Sequence, residues 1–107
     1  MMRKKILSKV LGVELVWLSK ELEEDNSISY TYLNKDGVEV SNNVSYNTLI
    51  HRCIIWIQNQ GLDINIGFDK NGKTFCEVFK EEELLHATQG GVEIENILKT
   101  CQWVYTH

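Results

Sequence analysis

Proline is missing altogether from this chain of 107 residues. Without it there is no stiff, extended connector of the kind that separates domains, and the loops between patterned segments are short. One domain covering residues 1–107 is therefore expected, since domains typically hold about 100–150 residues. Paired cysteines are missing too. Cys53, Cys76 and Cys101 make an odd count at wide spacing, each inside an apolar segment. That pattern excludes a disulfide framework and suits a reducing cytoplasm, with the thiols acting as small buried hydrophobes. No stretch approaches the roughly 18 apolar residues that a membrane span requires. The opening Met1-Met2-Arg3-Lys4-Lys5-Ile6-Leu7 imitates a signal peptide, but Lys9 and Glu14 interrupt the apolar run and no small-residue cleavage site follows. Excess positive charge is also absent: 15 acidic residues against 11 basic ones leave a net charge of −4. Nucleic-acid binding, which draws its affinity from Lys and Arg neutralising phosphates, is disfavoured.

What is present is an ordinary supply of apolar residues, 43% against 24% charged, enough for one core. Leu7, Leu11, Leu15, Leu18 and Leu22 recur three or four residues apart, which predicts a first amphipathic helix over roughly 4–24. Gly12 costs that helix about 1 kcal/mol relative to Ala. Ile28, Tyr30 and Tyr32 then alternate with Ser29 and Thr31, a half-buried strand over 27–33. Asn34-Lys35-Asp36-Gly37 is a turn signal and 38–40 is the returning strand, with Ser41-Asn42-Asn43 read as a loop. Tyr46, Leu49, Ile50, Cys53, Ile54 and Ile57 carry the clearest helical spacing, and Asn59-Gln60-Gly61 ends it. Leu62, Ile64, Ile66 and Phe68 alternate strictly, Asp69-Lys70-Asn71-Gly72 turns, and 73–79 completes a second hairpin. Residues 80–86 are charged and carry no clear period. Thr88 is the expected N-cap of a last helix whose face is Ile94, Ile97, Leu98, Cys101 and Val104.

The order α-ββ-α-ββ-α predicts an α+β fold: one four-stranded antiparallel sheet of two hairpins with three helices. Helices on both faces would make it an α/β/α sandwich. The helix–hairpin unit occurs twice, but the copies share no pattern that supports an internal repeat.

Chemistry-bearing residues do not converge in the sequence. His51 and Cys53 lie two apart on a helix, on different faces, and no Cys-x-x-Cys or paired-His spacing completes a metal site. Cys76 or Cys101 could meet His86 only through the fold, and buried thiols are inert. Gln89-Gly90-Gly91 lacks the Lys-Ser/Thr of a phosphate loop and the third glycine of a dinucleotide fingerprint. No catalytic residue, metal ligand or cofactor is expected. The first helix does break a local rule. It opens with Arg3, Lys4, Lys5 and Lys9 and closes with Glu21, Glu23, Glu24 and Asp25, opposing the helix dipole at both ends. Glu21, Glu23, Glu24 and Asp25 are accordingly candidate partner-binding residues. Trp56, off the main stripe of its helix, is a further candidate, because Trp is favoured at interface hot spots.

Tyr46-Asn47-Thr48-Leu49-Ile50 and Ala87-Thr88-Gln89-Gly90-Gly91-Val92-Glu93-Ile94 resemble two elements of the phage ABA sandwich domain family, and the likeness runs in order along nearly the whole chain. Gly90-Gly91 departs from the Ala or Pro such proteins often carry. The resemblance implies a phage or prophage origin and a helix–sheet–helix arrangement, and it transfers no catalytic residue. Three classes of function follow. The first is an accessory protein in the host cytosol that binds a host or phage protein, for instance as an inhibitor of a bacterial defence system of the anti-CRISPR kind. The second is a small-molecule or nucleotide binder using a cleft between sheet and helices. The third is an enzyme assembled from scattered residues. No membrane partner is expected, and a homodimer stays open.

Overall fold

The structure, a computed structural model, describes residues 2–19 and 26–107. Helix α1 runs Met2–Leu11 and buries Ile6, Leu7, Val10 and Leu11. It stops there because Gly12 turns left-handed (φ +68), its N–H bonding the Ser8 carbonyl at 3.0 Å and the Val13 N–H reaching the same oxygen at 3.2 Å. That conformation costs a residue with a side chain about 1–2 kcal/mol, so a glycine one position past the last helical residue ends the helix. The single helix expected over 4–24 is thus corrected. Leu15 keeps the leucine spacing, but from strand β1 (Glu14–Leu18), against which α1 packs. The acidic residues 21–25 therefore do not terminate α1, and they lie outside the described residues.

Strands β2 (Ser27–Leu33) and β3 (Glu39–Ser45) form the expected hairpin, with Ser41-Asn42-Asn43 inside β3 rather than in a loop. With β1 they make an antiparallel sheet in the order β1-β2-β3. Register puts Ile28 beside Val44, Tyr30 beside Asn42 and Leu18, and Tyr32 beside Val40 and Leu15 on one face. Ile28, Tyr30, Val44 and Leu15 are buried there. The other face is polar. Thr31 and Ser41 hydroxyls meet at 3.0 Å, and the Asn43 amide donates to Ser27 and Ser29 at 2.8 and 3.2 Å. Trp17, expected on a helix, stands over half exposed beside Thr31 on this face.

Helix α2 (Tyr46–Asn59) begins at Ser45, whose hydroxyl accepts the Thr48 N–H at 3.3 Å as an N-cap does. The chain groups into two compact units, Met1–Arg52 and Cys53–His107, divided within α2.

In the second unit β4 (Asp63–Phe68), β5 (Thr74–Lys80) and β6 (Glu83–Gln89) form another antiparallel sheet, in the order β4-β5-β6. Helix α3 (Glu93–Thr106) packs on β5 and β6. Thr74, Cys76 and Val78 of β5 are buried, as are Ile94, Asn96, Ile97, Thr100 and Cys101 of α3. A buried polar link fixes the approach of the helix. The Asn96 amide donates to the Thr74 hydroxyl, which reaches the Gly90 and Gly91 carbonyls at 3.3 and 3.0 Å. Thr88 does not cap α3: it lies in β6, and the cap position is Val92, which makes no side-chain bond.

The expected single four-stranded sheet is therefore corrected to two separate three-stranded sheets, six strands and three helices in all among the described residues. The α+β class stands. Both extra strands are edge strands, one hidden in the leucine stripe of 7–18 and one in the charged stretch after residue 80.

Candidate functional site

Strand β6, the element with the weakest pattern, carries the surface features of the second unit. It follows a two-residue turn, Glu81-Glu82, in which both residues are left-handed (φ 51 and 71). Such hairpin turns normally use Asn or Gly at these positions. Glu81, Glu82 and Glu83 are exposed, an acidic tip at the end of the hairpin. A bulge follows, since Val78 opposes His86 while Phe79 opposes Leu84, leaving Leu85 as the extra residue. Leu84 and Leu85 are both exposed, 50% and 37%. Among the described residues no strand pairs with the outer edge of β6.

On the helix-facing side, His86 and Thr88 share a face with Val78 and Cys76. The His86 ring stacks on Trp103 of α3 (4.7 Å, 10° between planes), and Trp103 also stacks with His107 (4.5 Å, 13°). The last turn of α3 is tied off by the Thr106 hydroxyl, which donates to the Gln102 and Trp103 carbonyls at 3.0 and 3.2 Å, and by His107 Nδ1, 2.8 Å from the Trp103 carbonyl. Burial first, and the charge of His107 second, hold His86 below the usual histidine range and favour its neutral form. Between β6 and α3 lies a groove of about 350 Å³ lined by His86, Thr88, Lys99, Gln102, Trp103 and Thr106. Its α3 residues fall at i, i+3, i+4 and i+7, one face of a helix. Among the described residues no carboxylate lines it. The Thr88 hydroxyl is buried and has no hydrogen-bond partner among the described residues.

The three cysteines are free and fully buried. Cys101 is pushed far up by its hydrogen bond with Cys53 and by burial, and Cys76 is raised by burial against an opposing hydrogen bond from Thr100. Protonated thiols in such surroundings are poor nucleophiles. The Cys–His pairing considered from the sequence does not form, because the His86 ring is on Trp103 instead. Among the described residues no cluster of three His, Cys, Asp or Glu could hold a metal ion, and no helix is long and apolar enough to cross a membrane.

Of the residues singled out from sequence, Trp56 is half-buried on α2 and does not line the groove. Glu21, Glu23, Glu24 and Asp25 lie outside the described residues. Sequence reading missed Lys99, Trp103 and the Leu84-Leu85 pair, whose only signal was a helix face and two adjacent leucines in a charged segment. No family model, curated protein or solved structure matches the chain.

Proposed function

We propose that the chain is a small accessory protein that works by binding another protein along the outer edge of β6. The observation that carries this reading is the exposure of Leu84 and Leu85 on a seven-residue edge strand with no outer neighbour among the described residues. An edge strand offers unpaired backbone groups to an incoming extended segment, and adjacent apolar side chains add contact area. The acidic tip Glu81–Glu83, in a chain of net charge −4, favours a basic segment and speeds its approach at low salt. Glu21, Glu23, Glu24, Asp25 and Trp56 are proposed as further partner-binding residues on their sequence pattern alone. The resemblance of residues 46–50 and 87–94 to the phage ABA sandwich family supports a phage or prophage setting. The partner is then a host or phage protein of the bacterial cytosol, such as a component of a defence system. The proposal assigns no catalytic step.

The test is a double variant, Leu84→Lys with Leu85→Lys, compared with the parent chain for capture of proteins from a bacterial host lysate and for mass in solution. The expected result is a monomer whose captured partner is lost in the variant. Undiminished capture by the variant overturns the reading. So does a parent chain that dimerises through this edge and falls to monomer on substitution.

A further inference from the structure

We infer that the groove between β6 and α3 is a second binding site, for a phosphate monoester of a small organic group. Four observations converge on that chemistry. The chain is acidic overall, yet among the described residues the groove lining contains the cation Lys99 and no Asp or Glu. Lys99 is exposed, and a solvated ammonium beside an uncharged wall is a point charge available to an oxyanion. The Thr88 hydroxyl, buried and without a partner among the described residues, leaves a polar group that a bound oxygen would satisfy. Gln102, from the same helix face as Lys99, also lines the groove, and its side chain carries an amide donor.

The remaining wall explains why the anion carries an organic group. Trp103, held by its stacks with His86 and His107, is a rigid apolar surface that a bare oxyanion would not use. The groove volume of about 350 Å³ falls within the range of small-molecule sites, about 300–1,000 Å³. Thr106 contributes shape only, because its hydroxyl already donates to helix carbonyls. Leu84 and Leu85 do not line the groove, so this site and the proposed protein-binding edge stand or fall separately.

The test titrates the 107-residue chain with phenyl phosphate, inorganic phosphate and phenol while amide and indole N–H resonances are followed by two-dimensional NMR. Phenyl phosphate is expected to produce saturable shifts at Thr88, Lys99, Gln102 and the Trp103 indole, with inorganic phosphate weaker and phenol without effect. Lys99→Gln should weaken phenyl phosphate binding about tenfold and Thr88→Val by a smaller factor of about three, as expected for a charged and a neutral hydrogen bond. Lys99→Met retains the apolar stem and should weaken it as much, which keeps the result readable if one substitution perturbs folding. Lys70→Gln, on the turn between β4 and β5, should leave affinity unchanged. The inference is overturned if no saturable shift occurs up to about 10 mM, a Kd corresponding to under about 3 kcal/mol. It is equally overturned if phenol binds as well as phenyl phosphate, or if Lys70→Gln weakens binding as much as Lys99→Gln.

Discussion

Asn34-Lys35-Asp36-Gly37 and Asp69-Lys70-Asn71-Gly72 close two hairpins in the same way, yet the hairpins become different sheets. In the first, the Gly37 N–H bonds the Asn34 carbonyl at 2.9 Å, and Asn34 Oδ1 accepts the N–H groups of Asp36 and Val38 at 2.9 and 3.0 Å. In the second, the Gly72 N–H bonds the Asp69 carbonyl at 3.0 Å, and Asp69 Oδ1 accepts those of Asn71 and Lys73 at 2.8 and 3.0 Å. The third strand then joins on opposite sides of the turn. β1 adds to β2, the strand before it, and β6 adds to β5, the strand after it. The central strand of the first sheet has a polar outer face tied by Ser, Thr and Asn. That of the second buries Thr74, Cys76 and Val78 beneath α3. Local turn chemistry makes the hairpin, and burial decides which of its strands becomes central.

The sharpest break in this comparison is the buried polar link of the second sheet. Thr74 and Asn96 are 5% and 3% exposed. Thr74→Val removes the hydroxyl that accepts from the Asn96 amide and leaves that amide its 3.4 Å bond to the Thr74 carbonyl, and an under-satisfied buried donor costs about 1–3 kcal/mol. The same kind of cut in the first sheet, Asn43→Ala, removes an exposed amide from the buried Ser27 and half-buried Ser29 hydroxyls; Ser27 makes a further interaction, and the loss should be below about 1 kcal/mol. Urea midpoints of the two variants measure the difference. Equal shifts would dissolve the distinction between a link whose donor is buried and one whose donor is exposed.

Next in size is an alkaline effect confined to the second unit, which holds all three cysteines. Cys101 and Cys76 have raised pKa values, so above the unfolded thiol value of about 9 the unfolded chain loses protons that the folded one keeps. Their contribution is complete below that pH and falls as pH rises, by up to about 1.4 kcal/mol per pH unit for each thiol. Cys101→Ala should reduce the loss of stability between about pH 8 and about pH 10 by that amount. Parallel losses in parent and variant would show that the Cys101 thiol is not the source.

The same contrast shows what was legible in the residues. Strict alternation at Ile64, Ile66 and Phe68, and the two Asx-Lys-Asx-Gly turns, announced both hairpins because each signal is local. The helical spacing of Tyr46 to Ile57 and of Ile94 to Val104 announced α2 and α3 for the same reason. β1 was lost because Leu15 and Leu18 keep helical spacing with Leu7 and Leu11, and only the left-handed Gly12 shows where that helix stops. β6 was lost because an edge strand buries little: Glu83, Leu84, Leu85, Ala87 and Gln89 are all exposed, so no inward face stands out. The groove depends on β6 and was invisible with it. Lys99, Gln102 and Trp103 read as the outer face of a helix until His86 and Thr88 are placed beside them.

The finest separation of the two hairpins lies in which side chain accepts the backbone bonds of each turn, the Asn34 amide in one and the Asp69 carboxylate in the other. Hydrogen bonds from the Lys73 and Asn71 N–H groups and from Gln89, whose amide lies 2.7 Å from Asp69 Oδ2, hold the Asp69 carboxyl below its ordinary value. The carboxylate therefore steadies its turn above about pH 4, and that support fades as pH falls through the lowered value. Asn34 makes the same backbone bonds without a titrating group. On acidification, the amide resonances of Asn71 and Lys73 should move with the titration of Asp69, while in an Asp36→Asn background the amides of residue 36 and Val38, bonded to the Asn34 side chain, stay fixed. Asp69→Asn should abolish the acid transition at Asn71 and Lys73. Movement of the residue-36 and Val38 amides in the Asp36→Asn background, or a transition at Asn71 and Lys73 that survives in Asp69→Asn, would assign the acid sensitivity to a group other than Asp69.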